Sequence, residues 1–148
     1  MKLSRDWLEF LGVLKAQDVH FVIVGGVAVV YHGYPRTTGD LDIFYECSPD
    51  NVRRLLRGLR SVLESDIHLS EKDLLTPGKI VQLGISPNRI DLINQIDGVS
   101  FAEASDSAIA AEFEPIGAVL MIGKTALIKN KKTVGRNRDK DDLEFLDQ

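Results

Sequence analysis

The sequence is poor in cysteine: Cys47 is the only one in 148 residues, which excludes an internal disulfide and fits a reducing cytoplasm. Its three histidines, His20, His32 and His68, are dispersed, with no metal-ligand spacing among them. No apolar run approaches the roughly 20 residues of a membrane span, so no membrane partner is expected. The N-terminal "MKLSRDWLEFLGVLKAQD" mixes acids into a helical period and reads as neither a signal nor a transit peptide. Internal repeats and low-complexity tracts are missing as well. Neither sign of charge dominates, and a net charge of −4 argues against non-specific polyanion binding as the main task. The basic residues nevertheless gather in "RRLLRGLR" and "KNKKTVGRNR", each able to form a local patch.

What is present suits one globular domain over 1–148, with 44% hydrophobic and 27% charged residues. A chain of this length buries about two-thirds of its unfolded surface. Trp7, Phe10, Leu11 and Leu14 share a helical face behind Ser4 as N-cap. "HFVIVGG" reads as a central strand, the segment after Gly-Gly as a short helix, and "DLDIFYE" as a second strand. "SPDNVRRLLRGLRSVLES" is a helix with Ser48 as cap and Pro49 in the first turn, its arginines Arg53, Arg54, Arg57 and Arg60 facing solvent. "KIVQLGISPNRIDLINQI" predicts a hairpin around "SPN", and "VSFAEASDSA" a loop or short helix. "AEFEPIGAVLM" reads as a strand and a turn; the tail gives a helix, a Gly-Arg turn and a final capped helix. This order predicts a mixed sheet covered by helices.

Asp40 and Asp42 stand two residues apart on a strand, so both project from one face with Cα atoms about 6.5 Å apart. At ~4 Å and an effective dielectric near 20, two carboxylates repel by about 4 kcal/mol. A hard divalent cation such as Mg²⁺ offsets that, because it takes carboxylate oxygens and keeps positions open for water or phosphate. Asp91 interrupts the apolar alternation of "NRIDLINQI" and joins the pair if the 79–95 hairpin lies beside the acidic strand. Three converging carboxylates suit two metals about 3.5–4 Å apart, the arrangement used for phosphoryl and nucleotidyl displacement. An isolated Asp-x-Asp is more often a plain strand entry; the weight lies in its combination with what precedes it.

That preceding element is Gly25-Gly26, between an apolar strand and a short helix, where backbone can approach an anion. Arg36, Thr37 and Thr38 follow with donors suited to phosphate oxygens. The string "VGGVAVVYHGYPRTTGDLDIF" resembles the signature of the polymerase-β-type nucleotidyltransferase superfamily, and is most similar to its minimal members, including the AbiEii-toxin-like and related small bacterial families. Gly25, Gly26, His32, Gly33, Arg36, Thr38, Asp40, Asp42 and Asp91 fall on that pattern. Lys129, Gly135, Arg136, Asp139, Asp142 and Leu143 fall on a Lys, Gly-Arg-x-x-Asp-x-x-Asp-Leu pattern that such families often carry. The chain departs from many of them in having Gly26 where a serine is common.

The resemblance implies an α+β nucleotidyltransferase fold, with a mixed sheet of four to five strands flanked by helices. It implies Mg²⁺ as cofactor (two ions, with Mn²⁺ as an alternative) on the catalytic carboxylates Asp40, Asp42 and Asp91. Gly25, Gly26, Arg36, Thr38 and Lys129 become the expected nucleotide-binding residues, for an NTP such as ATP. The implied reaction moves an NMP to an acceptor hydroxyl on RNA or tRNA, a protein, or a small molecule such as an antibiotic. A role as the toxin half of a toxin–antitoxin pair, with an antitoxin partner, is one expectation. A non-catalytic binding module on the same fold is the rival. "GAVLMIGKT" is not a P-loop: five residues, not four, separate Gly117 and Gly123, and they are too apolar to cradle phosphate. His32 is read as a helix C-terminal residue, Cys47 as a buried or half-buried bystander, and Lys124 as either a cation near the triphosphate or a solvated helix face.

Overall fold

The structure, a computed structural model, describes residues 1–63 and 68–147. Helix α1 (Arg5–Ala16) starts where the Ser4 hydroxyl accepts from the Trp7 N–H, and buries Trp7, Phe10, Leu11 and Leu14 along one stripe. Strand β1 (Phe21–Val24) is buried throughout and runs directly into the short α2 (Gly25–Tyr31). Strand β2 (Asp40–Tyr45) leads to α3 (Pro49–Val62), capped by Ser48 as its sequence predicts. The sequence pattern carries that helix on to Ser65, of which Glu64 and Ser65 lie outside the described residues.

Five elements complete the middle of the chain: α4 (Glu71–Leu75), β3 (Val81–Leu83), β4 (Arg89–Ile93), α5 (Phe101–Asp106) and β5 (Ile109–Phe113). Then come β6 (Gly117–Met121), α6 (Lys124–Val134) and α7 (Asn137–Leu146). The strands form one mixed sheet of order β3-β4-β2-β1-β6-β5, six strands where four to five were expected. The difference is the segment read as strand and turn. "IAAEF" and "GAVLM" close into a full antiparallel hairpin, in which Ala111 opposes Val119. Only alternate residues of β5 and β6 are buried, and the alanines give little amplitude to a period-two pattern. Helix α4 was missed because it is one capped turn, carried by the reciprocal Ser70–Asp73 capping box.

Two polar anchors fix the frame. Asn51, fully buried, accepts from the His20 N–H at 2.7 Å and donates to the carbonyls of His20 (3.0 Å) and Glu46 (2.8 Å), tying the start of β1 to the end of β2. Tyr45 donates to the Leu74 carbonyl at 2.8 Å, and the Asn94 amide donates to the carbonyls of Leu74 (3.1 Å) and Thr76 (2.9 Å). These bonds hold the connection between α4 and β3 against the sheet. Cys47 is exposed, not half-buried.

The faces of β2 are divided by its alternation. Leu41, Ile43 and Tyr45 point to the layer that holds α4, whereas Phe44 meets Phe101 of α5 edge-to-face at 5.3 Å. Asp40 and Asp42 share the Phe44 side.

Candidate active site

Strand β4 runs parallel to β2 in a register that sets Asp91 opposite Asp42 and Arg89 opposite Asp40. Partners in register on neighbouring strands lie about 4.8 Å apart and point to the same face. Asp40, Asp42 and Asp91 therefore emerge together, as the sequence reading required of the 79–95 hairpin. Arg89 comes with them, because it precedes Asp91 by two residues. Its guanidinium donates to Asp40 Oδ2 at 2.7 Å and to both oxygens of Asp91 at 3.0 and 3.2 Å. Ser86, in the β3–β4 turn, donates to Asp40 Oδ1 at 3.1 Å.

Asp42 is left with the least compensation. Burial first, then the Asp91 and Asp40 charges and a hydrogen bond with Asp91, push its carboxyl from 3.8 up to about 7, against the opposing pull of Arg89. Its position depends on Gly25. That residue has φ +69, and a Cβ built there would overlap Asp42 Oδ2. The same turn brings Gly26 beneath Thr38 and Arg36: a Cβ on Gly26 would lie 2.8 Å from Thr38 Oγ1 and 3.1 Å from an Arg36 guanidinium nitrogen.

A cleft of about 490 Å³ opens beside the acids. Asp42, Asp91 and Gly25 form one part of its lining, Lys131 and Arg136 a cationic part, and Ile80, Ile93 and Ile96 an apolar part. Lys131 belongs to a buried ion network, which the exposed Arg136 joins through Asp139. Lys131 Nζ lies 2.9 Å from Asp139 and 3.0 Å from Asp142, with side-chain exposures of 5%, 1% and 1%. Arg36 closes the network from the loop before β2, donating through Nε and a terminal nitrogen to the two Asp142 oxygens at 3.0 and 3.1 Å. Tyr34 stacks obliquely on Phe145 at 4.9 Å, so α7 clamps that loop at two points. Burial works to raise the Asp139 carboxyl, but hydrogen bonds from Arg136 and Lys131 outweigh it and hold the group below its ordinary value. Arg136 is exposed and is held charged chiefly by its bond to Asp139, with Asp42 among the other carboxylates that contribute.

The structure thus gathers Gly25, Gly26, Thr38, Asp40, Asp42 and Asp91 in one region and commits Arg36 to Asp142. Lys129 is elsewhere. Its ammonium is paired with Glu103 at 2.9 Å on the outer side of α6 and is 54% exposed, so the lysine at the cleft is Lys131. Two signals in the sequence point to Lys131 and Arg89. Lys131 follows the buried Leu127 by four positions, the inward stripe of α6, and Arg89 repeats the i, i+2 relation of the acidic pair. His32 ends α2 as expected, with its Nε2 2.9 Å from the Ile122 carbonyl, a structural contact.

In kind, the donor set suits a hard divalent ion: three carboxylates, no sulfur and no imidazole. In arrangement it is held apart, since among the described residues no three His, Cys, Asp or Glu side chains are drawn into ready metal-binding geometry. Arg89 occupies the space between Asp40 and Asp91.

A search of curated proteins finds no match to the chain. The family model described as "Nucleotidyl transferase of unknown function (DUF2204)" matches residues 3–148, which takes in every element from α1 to α7. With nearly the whole chain matched and an α+β fold of seven helices and a six-stranded mixed sheet among the described residues, this protein belongs to that family of nucleotidyl transferases.

Proposed function

We propose that the protein is a metal-dependent nucleotidyltransferase that moves an NMP from an NTP to an acceptor hydroxyl. The observation that carries this reading is the register of β2 and β4, which sets Asp91 beside Asp42 in the lining of a cleft with a cationic wall, with Asp40 two residues before Asp42 on the same strand face. Asp40, Asp42 and Asp91 are the residues to hold Mg²⁺ or Mn²⁺. The ions, when bound, supply charge neutralisation on the phosphates and polarisation at the reacting phosphorus. The rest of the work falls to the chain. Arg136, exposed at the cleft, offers positive charge to the triphosphate and to the departing pyrophosphate, and Lys131, held by Asp139 and Asp142, lines the wall behind it. Gly25 and Gly26 let the backbone come close, and Thr38 stands over Gly26 with its hydroxyl. Arg36, through Asp142, holds the Thr38 loop against α7. The apolar wall of Ile80, Ile93 and Ile96 gives the nucleoside or the acceptor a surface to lie on.

In the reaction the acceptor oxygen bonds to the α-phosphorus as the bond to the pyrophosphate oxygen breaks. The hydroxyl proton passes to a carboxylate of the site, the role this reading gives to Asp91. Positioning and charge stabilisation supply the acceleration. RNA or tRNA, a protein side chain and a small molecule all fit this chemistry as acceptors, and a toxin acting against a cognate antitoxin is one setting for it. Incubating the chain with each NTP labelled at the α-phosphate, in the presence of cell extract, tests the reading. Transfer of label is expected from the wild type and not from Asp42→Asn; equal transfer by both would remove the carboxylates from the mechanism.

A further inference from the structure

Arg89 lies where a cation shared by Asp40 and Asp91 would have to lie. One terminal nitrogen of its guanidinium reaches Asp40 Oδ2 at 2.7 Å and Asp91 Oδ2 at 3.2 Å, while Nε takes Asp91 Oδ1 at 3.0 Å. One guanidinium thus spans the first and third of the three acids. The same three carboxylates do not assemble as a set that could hold a metal ion. Arg89 is 30% exposed, and its hydrogen-bond partners among the described residues are these two acids. By contrast Arg36 and Lys131 are built into the network with Asp142 and Asp139, with side-chain exposures of 16% and 5%.

We propose that Arg89 is a resident counter-ion that competes with divalent metal for Asp40 and Asp91, so that the metal site forms only when the guanidinium swings out. This rests on the reading of the carboxylates as metal ligands given above. The device lets the chain fold with three acids side by side without metal. It also sets a threshold, because a lone ion must displace a paired guanidinium, whereas ions arriving with a polyphosphate bring an anion that can take the freed arginine. Metal binding and nucleotide binding become cooperative at this site.

Binding of Mn²⁺ to the full-length chain without nucleotide, followed by electron paramagnetic resonance of the free ion, tests this together with the melting temperature of the metal-free protein. Arg89→Ala is expected to bind Mn²⁺ at least about tenfold more tightly than wild type, as expected from removing a competing charge at about 4 Å. Its metal-free form melts at lower temperature at pH 8. Arg89→Gln, which keeps hydrogen-bonding capacity without the charge, gives the same tightening and serves where the alanine variant fails to fold. A purely structural arginine would lower the melting temperature without improving affinity, and a phosphate-binding arginine would leave nucleotide-free affinity alone. Unchanged or weaker Mn²⁺ binding in both variants overturns the inference. If wild type and both variants then bind Mn²⁺ equally while Asp42→Asn does not, the carboxylate reading survives; if no form binds Mn²⁺ even with NTP, both fail.

Discussion

Replacing Asp42 by asparagine keeps the shape of the side chain and removes its charge, so it isolates the electrostatic cost of the site. Raising a carboxyl from 3.8 to about 7 corresponds to roughly 4 kcal/mol of penalty on the ionised form, an upper bound at the rim of a cleft. The sign follows from proton counting. The folded chain keeps a proton on Asp42 that the unfolded chain has released, so unfolding sheds a proton and is favoured as pH rises. The contribution is therefore neutral below the unfolded value of 3.8, and stability is lost progressively as pH climbs through about 7. Asp42→Asn should be more stable than wild type at pH 8, by about 2 kcal/mol, or about 4–8 °C in melting temperature for a domain of this size. The advantage should shrink by more than half at pH 5. Thermal melts of the metal-free proteins at both pH values measure it. A variant less stable than wild type at pH 8, or one whose advantage is the same at pH 5, would refute the account of Asp42 as a partly buried acid with too little counter-charge.

Lys131→Met should cost about 3–5 kcal/mol in urea unfolding, because it leaves Asp139 and Asp142 buried short of a counter-charge. Lys129→Ala, at an exposed pair, should cost less than about 1 kcal/mol in the same assay. Gly25→Ala forces an alanine to φ +69 and drives its methyl into Asp42, so it should lose at least about 1–2 kcal/mol and with it the stabilisation by metal and nucleotide seen in thermal melts. Asn51→Ala strands backbone groups of His20 and Glu46 and should cost about 2–3 kcal/mol by urea titration while leaving nucleotide affinity unchanged, since it lies away from the cleft.

The fold was legible wherever the apolar period was strong. α1 and α3 could be read from their stripes and caps, and β1 from an unbroken apolar run, because those residues meet the core with their whole side chains. β5 was read only in part and β6 was taken for a turn, since alanine and glycine take positions that a larger apolar side chain would have announced. The acidic pair was legible because like charges on one strand face need an explanation. Asp91 could be named as its partner, but only the pairing of β2 with β4 shows that it meets them. Lys129 illustrates the other kind of limit. A pattern of residue types placed a lysine near the site, yet the helical period of α6, one turn set against another, decides that Lys131 is the one that faces it. The Arg36–Asp142 bond joins residues 106 positions apart, and no local signal in the sequence could have paired them.

The central claim is that Asp40, Asp42 and Asp91 act together to hold metal beneath a nucleotide. Its most direct test is the melting of wild type and Asp91→Asn with Mg²⁺ plus each NTP. Wild type should gain about 2.7 kcal/mol of stability at a hundredfold excess over Kd with at least one nucleotide, and Asp91→Asn should gain almost none. A wild type indifferent to every Mg²⁺–NTP pair, or an Asp91→Asn variant stabilised as much as wild type, would contradict it.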